Sequence, residues 1–352
     1  MSAFNQIHRL VQQGLEQGAY PAAALAIGIG EEIFLKQSYG CCTADTLFDM
    51  ASVTKILSPT MIALRFLEDG VIRLYDCVGD FFPEAPDDKK NITIGQLLTH
   101  TSGIPAHFYL SDHTSDPAEA AQVILDHPLT QAPGSDPVYS CMGFILLGKI
   151  LEQVGGVALD DLAQKYVFDP LKMNQTGYHP SGDIAPTELD SVTGTLFQGI
   201  VHDENARFLG GISANAGIFS NLNDMIPYAQ MLSLGGRLPD GTHYLSPATL
   251  QAAVRNHTPN SKGEFRGLGF NLAHSPRNFL GDLMSPRAFG HTGFSGTSIA
   301  VDPNYGLWVV LLTNRICPTR NNTALVRMRS LIHNAAAAEA SRLRSGHRLQ
   351  EF

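Results

Sequence analysis

The chain has few charged residues for its length. Asp, Glu, Lys and Arg make up 16% of its 352 residues, and 24 basic against 33 acidic side chains give a formal net charge of −9. No block of lysine and arginine interrupts this acidic balance, which argues against nucleic acid as a partner. Low-complexity tracts are also missing, and 44% of the residues are hydrophobic, so disorder is excluded. The composition is that of a folded globular protein with a sizeable core.

Long hydrophobic runs and a cysteine framework are absent as well. No apolar run approaches the roughly 18–20 residues of a membrane-spanning helix, and the N-terminal segment lacks the charged start and apolar stretch of a signal peptide. We therefore expect no membrane partner and a cytoplasmic location; an exported form stays open if a signal was removed. The five cysteines form an odd count without CxxC spacing, which predicts reduced thiols.

Several catalytic fingerprints are missing too. No GxSxG elbow occurs, and the nearest string, residues 293–297, lacks the closing glycine, which disfavours an α/β-hydrolase. Neither GxGxxG nor GxxxxGK[ST] is present, so the usual nucleotide-binding loops are excluded. HExxH is absent, and the 13 histidines are scattered rather than spaced as metal ligands. These absences exclude the usual nucleotide-binding and metalloprotease motifs.

Strands are predicted near both ends of the chain, with helices between them. An amphipathic helix is followed by a hairpin whose first strand is Ala22–Ile29, turning at residues 30–32. Late in the chain, two strands are predicted on either side of a turn at residues 303–306, and a closing helix at about residues 322–343. The segment between them is mostly helical, broken by prolines and glycines.

This order predicts an α/β (α+β) fold with an interrupted domain. The α/β domain comprises residues 1–75 and 195–352, and a helical domain of residues 76–194 is inserted in it. A cleft between the two is the natural place for a small-molecule ligand. The oligomeric state stays open.

Ser52 and Lys55 form the sharpest local feature. If a helix begins at Ser52 and runs towards Gly70, with a kink or a later start at Pro59, the serine and lysine at positions i and i+3 share one face. A serine hydroxyl becomes a nucleophile when a neighbouring base removes its proton, and an ε-amine can act as that base once burial lowers its pKa. Alone, this spacing also fits a helix cap with a surface lysine.

Two later features strengthen the catalytic interpretation. Tyr139 precedes a strongly apolar helix, from which its phenol could reach a cleft and exchange protons with Lys55. His291 is predicted to open a strand, followed by Thr292, whose hydroxyl could bind a substrate carbonyl or carboxylate, and by Gly293, which would let a substrate backbone come close.

In this order and spacing, these three segments resemble the SxxK, YxN and KTG motifs of the serine β-lactamase and penicillin-binding protein superfamily. The resemblance extends over residues 7–332 and is closest to the class C β-lactamase and esterase (family VIII-like) branch. It implies a β-lactamase/transpeptidase-like fold, in which an antiparallel sheet is flanked by helices and an all-helical domain is inserted.

The resemblance also implies a role for each residue. Ser52 would be the acylated nucleophile, and Lys55 its general base or proton partner. Tyr139 would carry the proton to the leaving group and activate the deacylating water, while His291 would face the cleft. The backbone N–H groups of Ser52 and Phe294 would form the oxyanion hole. The resemblance implies neither a metal nor an organic cofactor.

Two positions depart from the pattern. Cys141 stands where the family has an asparagine that contacts the substrate's acyl-amino group, and a thiol is a poor substitute for an amide. His291 replaces a lysine, so a fixed positive charge for a substrate carboxylate is missing at neutral pH. These changes favour a serine hydrolase of esters, small amides or peptides. A β-lactamase or D-Ala-D-Ala carboxypeptidase is the alternative, and a non-catalytic binder or sensor of acyl ligands or β-lactams is the second alternative.

One polar segment, residues 201–206, is a further candidate for contact with substrate. His202 and Asn205 could line the cleft. A hydrogen-bonded loop that ties the two lobes together explains the same residues equally well.

Overall fold

The computed structural model describes residues 3–348 except residues 274, 276 and 277. Its main sheet has six antiparallel strands in the order β2-β1-β8-β7-β6-β5, and a separate two-stranded sheet pairs β3 with β4. The strands are β1 Ala22–Ile29, β2 Glu32–Gly40, β3 Phe48–Asp49, β4 Phe219–Ser220, β5 Asn271–Leu272, β6 Phe289–Thr292, β7 Ser298–Asp302 and β8 Leu307–Thr313.

Helices cover both faces of the main sheet and fill the middle of the chain. In chain order they are α1 Ala3–Glu16, α2 Thr54–Leu57, α3 Pro59–Glu68, α4 Val78–Phe81, α5 Asp87–Lys90, α6 Ile94–Leu98, α7 Ala120–Asp126, α8 Cys141–Gly155, α9 Leu159–Ala163, α10 Asp169–Leu171, α11 Glu204–Phe208, α12 Leu222–Ser233, α13 Pro247–Val254 and α14 Ala324–Arg348. An antiparallel sheet flanked by helices is the predicted architecture, and it is confirmed.

Strand β1 explains why the sheet is buried on both faces. Its alternate residues point to opposite sides, so Ala22, Ala24 and Ala26 join one hydrophobic cluster, and Leu25 and Ile27 join the other. The first cluster contains α3, α8 and α12, and the second contains α1 and α14. Burying one leucine or isoleucine side chain stabilises the fold by about 1.5–3 kcal/mol. The sheet is therefore a rigid platform for the segments at its edge.

The helix predicted from Ser52 to Gly70 is broken into shorter pieces. A single 3-10 turn, Ala51–Val53, leads into α2, and α3 starts at Pro59 after an irregular Ser58. Proline is suited to the first position of a helix because its missing N–H would have no partner there. The sequence allowed either a kink or a later helix start at Pro59, and the structure has the later start. Gly70, at φ +69°, follows the end of α3.

The late strands differ from the prediction. Three strands, β6, β7 and β8, replace the predicted two, because the turn at residues 293–297 separates β6 from β7. His291 consequently lies near the end of a short strand rather than opening one, which corrects the sequence prediction. The final helix runs from Ala324 to Arg348, several residues beyond its predicted end.

The division into domains stays a prediction. Helices α4–α10 fall within residues 76–194, and every strand described for the two sheets falls outside that range. No single helix among the described residues is long and apolar enough to cross a membrane. The bent pair Cys141–Gly155 and Leu159–Leu171 passes that test of length and composition together, but its apolar side chains pack in the core.

Candidate active site

Ser52 lies in a strained turn between the small sheet and α2. The preceding residue, Ala51, has φ +46°, a left-handed conformation that is uncommon for a residue with a side chain. The buried carboxylate of Asp49 stabilises this turn by accepting hydrogen bonds from the backbone N–H of Ala51 and of His202, each at 2.8 Å. Burial raises the pKa of Asp49, while these two hydrogen bonds act in the opposite direction. The turn therefore fixes where the Ser52 hydroxyl lies.

Lys55 is fully buried and its amine contacts three groups. Its Nζ lies 3.3 Å from Ser52 Oγ, 3.5 Å from Cys141 Sγ and 2.9 Å from the backbone carbonyl oxygen of Asn215. The i, i+3 spacing predicted from the sequence thus brings the amine to the serine hydroxyl. Among the described residues, no carboxylate forms an ion pair with this amine.

The pKa of Lys55 depends on its neighbours. Burial acts to lower this pKa because it disfavours the charged amine. Negative charge on Cys141 or Tyr139, and the more distant Asp203, act to raise it, and the net shift is upward. The lowering by burial expected from the sequence is therefore one contribution to the pKa of Lys55 and not its net direction.

Tyr139 comes from the other side of the site, just before α8. Ser140 caps this helix: its hydroxyl accepts a hydrogen bond from the Gly143 N–H at 2.9 Å and donates one to the Pro105 carbonyl at 2.7 Å. The Tyr139 ring centre lies 4.8 Å from Lys55 Nζ, and its hydroxyl is buried. Burial raises the pKa of Tyr139, whereas the positive charge of Lys55 lowers it. Ser52, Lys55 and Tyr139 are thus brought together.

The turn between β6 and β7 is joined to the segment before Ser52. Ser295 Oγ donates to the Asp49 carbonyl at 2.6 Å, and Thr297 Oγ1 donates to the Met50 carbonyl at 3.0 Å. A Cβ on Gly293 would lie 2.5 Å from that same Met50 oxygen. A side chain at position 293 would therefore collide with the chain itself, and the approach of a substrate backbone to Gly293 stays a prediction. Glycine is needed here because two backbone segments approach closely.

His291 is buried and neutral. Its Nδ1 lies 2.8 Å from the Thr292 carbonyl, so Nδ1 carries the proton and Nε2 is left as an acceptor. That Nε2 atom is buried without a hydrogen-bond partner in the described part of the chain. Burial lowers the pKa of His291 to about 3, with the positive charges of Lys55 and Arg266 adding to the effect. His291 lies beside Tyr139, with ring centres 6.0 Å apart.

The two N–H groups predicted for the oxyanion hole have no acceptor within the described residues. Neither the Ser52 nor the Phe294 backbone N–H makes a backbone hydrogen bond there, so both can donate to an incoming oxygen. The Phe294 side chain is 48% exposed. Thr292 is half-buried and pairs with Ser298 across the β6–β7 ladder. The roles of these residues stay predictions.

The side chains of His202 and Asn205 form hydrogen bonds with other segments of the protein. His202 Nε2 lies 2.9 Å from Glu188 Oε2, and its ring stacks on Phe294 at 5.7 Å. The Asn205 side-chain amide donates to the Phe108 carbonyl at 2.8 Å and accepts the Leu110 N–H at 2.9 Å. The hydrogen bonds of Asn205 are those of the alternative interpretation, in which the loop connects parts of the protein rather than binding substrate. His202 contacts the site through Phe294.

Sequence reasoning missed three residues near Tyr139 and Lys55. Asn215 supplies the carbonyl that binds Lys55. His100 packs on the Tyr139 ring at 4.5 Å. The Arg266 guanidinium lies 5.4 Å from the centre of the same ring, although only 4% of this residue is exposed. No spacing relates these positions to the motifs, because only the fold brings them together.

The side chains around Ser52 supply nucleophilic attack, proton transfer and hydrogen bonding to an oxyanion. Among the residues that the structure describes, no group of three or more His, Cys, Asp or Glu side chains is arranged to hold a metal ion. A cavity of about 580 Å³ is lined by residues that include Asp45, Asp160 and Asp183 but not Ser52.

A serine beside a buried amine and a phenol is the arrangement of an acyl-transfer hydrolase. A family model described as Beta-lactamase matches residues 7–329. The chain belongs to the β-lactamase family, and it is a hydrolase of the serine β-lactamase and penicillin-binding protein superfamily.

Among the proteins that the chain resembles are a curated bacterial protein and two solved structures of the same fold. It is 29% identical over 364 residues to the "Putative D-alanyl-D-alanine carboxypeptidase" of Escherichia coli (strain K12), covering 88% of this chain and 82% of that protein. A penicillin-binding protein homolog from Caulobacter crescentus has a TM-score of 0.76, 19% identity and coverage of 97% and 98%. EstCE1, described as a hydrolase with promiscuous acyltransferase activity, has a TM-score of 0.74, 20% identity and coverage of 94% and 98%. The predicted β-lactamase/transpeptidase-like fold is confirmed.

Proposed function

We propose that the protein hydrolyses carboxylic esters, and more slowly small amides, through an acyl-enzyme on Ser52. The observation that carries this proposal is the composition of the site. The Lys55 amine lies beside both the Ser52 hydroxyl and the Tyr139 ring, whereas Cys141 and a neutral His291 occupy the two positions from which the superfamily binds the amide and carboxylate ends of its peptide and β-lactam substrates.

The proposed acylation needs only groups at the site. The Ser52 hydroxyl loses its proton to the Lys55 amine, 3.3 Å away, and its oxygen bonds to the substrate carbonyl carbon. The carbonyl oxygen takes the negative charge and accepts hydrogen bonds from the N–H groups of Ser52 and Phe294. The bond to the leaving group then breaks, and Tyr139 gives that alkoxide a proton, which Lys55 replaces.

The proposed deacylation repeats these steps with water. The neutral Lys55 amine takes a proton from water, directly or through Tyr139, the hydroxide attacks the acyl carbon, and the Ser52 oxygen leaves with that proton. The products are a carboxylic acid and an alcohol, and the site returns to its starting protonation state.

Esters are favoured because they make the fewest demands on the altered positions. An ester has no N–H or carboxylate that needs a partner at Cys141 or His291. An alkoxide is also a better leaving group than an amide nitrogen, which must be protonated before it departs. The likeness to EstCE1, a hydrolase with acyltransferase activity, supports acyl transfer on this fold.

A peptidase or β-lactamase is the second candidate, and Arg266 favours it. This buried cation lies beside Tyr139, and its Nε has no hydrogen-bond partner in the described part of the chain. It could bind the carboxylate that His291 does not attract, as the likeness to a D-alanyl-D-alanine carboxypeptidase suggests. Esters rank first because Glu264 and Asn271 already bind the two terminal nitrogens of Arg266.

The test compares three substrate classes and follows the protein mass at the same time. We expect p-nitrophenyl butyrate to have a higher kcat/KM than a chromogenic cephalosporin or a D-Ala-D-Ala peptide. Ser52→Ala should lose at least about a thousandfold of this activity, and the exposed Ser115→Ala should lose none. A transient mass increase on Ser52 should accompany turnover.

Each contrary result has a defined meaning. Faster turnover of the cephalosporin or the peptide would overturn the ester assignment in favour of the second candidate. A lasting mass adduct without turnover would identify a binder or sensor. Equal ester hydrolysis by Ser52→Ala would rule out Ser52 as the nucleophile.

A further inference from the structure

His100 has an unusual position directly behind Tyr139. It follows the C-terminal end of α6, and its backbone has φ +59°, the left-handed region in which histidine, asparagine and aspartate are the more tolerated side chains. Only 2% of the residue is exposed. Its ring packs between the ring of Tyr139, at 4.5 Å, and the ring of Phe144, at 5.0 Å.

Two hydrogen bonds to His100 bracket Tyr139. The N–H of Val138, the residue before Tyr139, donates to the His100 carbonyl at 2.9 Å. The N–H of Ser140, the residue after Tyr139, donates to His100 Nδ1 at 3.0 Å. One residue thus binds the backbone on both sides of Tyr139 and packs against its ring.

These bonds define the state of the imidazole. Nδ1 accepts a hydrogen bond, so it carries no proton, and the neutral ring has its proton on Nε2. Burial, with the positive charges of Arg266 and Lys55 adding to it, holds the pKa of His100 well below its usual range. The lone pair on Nδ1 is occupied by the Ser140 N–H, which leaves His100 to hold Tyr139 rather than to exchange protons with it.

We propose that His100 is the positioning residue that aims the Tyr139 phenol at the leaving group, by means of its bonds to Val138 and Ser140. This inference rests on the proposed function, in which Tyr139 protonates that leaving group. Misplacing a catalytic group by about 1 Å can cost on the order of a hundredfold in rate, so loss of the Ser140 bond should reduce proton delivery without removing Ser52 or Lys55.

The test uses two substitutions that suit a left-handed backbone. His100→Gly removes the ring and the Nδ1 acceptor. His100→Asn keeps an acceptor oxygen at the same distance from the backbone as Nδ1. His333→Ala, which removes another buried histidine bonded to a backbone carbonyl, is the matched control. Circular dichroism establishes that each variant is folded.

The readout is the ratio of kcat/KM for p-nitrophenyl butyrate to kcat/KM for ethyl butyrate. p-Nitrophenolate leaves without a proton, whereas ethoxide needs one from Tyr139. We expect His100→Gly to raise this ratio by at least about tenfold, mainly through a lower kcat on ethyl butyrate, and Tyr139→Phe to raise it further. His100→Asn should stay within about threefold of the unsubstituted protein, and His333→Ala should leave the ratio unchanged.

The outcomes separate the two proposals. If the unsubstituted protein has no Ser52-dependent ester hydrolysis, the proposed function fails. If it has this activity but His100→Gly lowers both esters equally, or His100→Asn behaves as His100→Gly does, the positioning role of His100 is wrong while the proposed function stands. Should His100→Gly not fold, His100→Phe, which has a ring but no acceptor, replaces it with the same expected rise.

Discussion

Two buried histidines should make the fold lose stability in mild acid. His291 and His333 are 2% and 0% exposed, and burial lowers the pKa of each to about 3. Neighbouring cations add to this effect: Lys55 and Arg266 at His291, and Arg329 at His333. In the unfolded chain both imidazoles have a pKa of about 6.5.

The direction and size of the effect follow from proton linkage. Because the folded pKa lies below the unfolded one, the unfolded chain binds more protons between about pH 6.5 and about pH 3, and stability falls as the pH falls through that window. Between about pH 7.5 and about pH 5.5, each histidine lowers the free energy of unfolding by about 1.4 kcal/mol, or about 3 kcal/mol for the pair. Proteins of ordinary stability have about 5–15 kcal/mol in total. His100, whose pKa burial also lowers, acts in the same direction.

Urea-induced unfolding at these two pH values measures the effect. His333→Gln should reduce the acid-induced loss by about 1.4 kcal/mol, because glutamine takes up no proton on unfolding. His179→Gln, at an exposed position, is the control and should leave the loss unchanged. The reasoning is refuted if the unsubstituted protein loses less than about 1 kcal/mol over this range, or if His333→Gln loses as much as the unsubstituted protein does.

Two substitutions in the site test the altered motif positions. Cys141→Asn replaces a thiol whose sulfur lies 3.5 Å from Lys55 Nζ with an amide; one added hydrogen bond should raise kcat/KM for an anilide relative to the matched ester by about threefold to tenfold, and an unchanged ratio would mean that position 141 does not discriminate. His291→Gln removes an imidazole that stays neutral above its pKa of about 3, so the pH profile of kcat/KM between about pH 5 and about pH 8 should keep its shape. If this substitution removes a change in kcat/KM near pH 6.5, the ordinary pKa of histidine, His291 titrates in the active enzyme.

The parts of the fold that follow local rules could be predicted. The Ala22–Ile29 strand has the predicted bounds, because an unbroken apolar run before a turn is typical of a strand buried on both faces. Ser52 and Lys55 meet because their spacing in the chain already puts them on one side of a helical turn. Pro59 marked the start of α3 for a similarly local reason, its fixed φ and missing N–H.

The parts that depend on distant contacts could not be predicted. Gly293 has the space of a glycine because Met50, far away in sequence, passes beside it. His100 and Arg266 contact Tyr139 from separate segments of the chain, and their positions in the sequence do not indicate that contact. The break between β6 and β7 was missed although its residues, 293–297, include two glycines and a serine, which are typical of turns; the bonds from Ser295 and Thr297 to residues before Ser52 stabilise that turn.

The charge balance at Lys55 links this geometry to the proposed mechanism. A buried ammonium without an anion is costly, and the proposed acylation needs the neutral amine, because only that form has a lone pair for the Ser52 proton. In the proposed step, Lys55 would become a buried cation at the moment when the substrate carbonyl oxygen becomes an anion beside the N–H groups of Ser52 and Phe294. The tetrahedral intermediate would then supply a counter-charge for the lysine. A site arranged in this way binds the transition state more strongly than the substrate, which is the condition for catalysis.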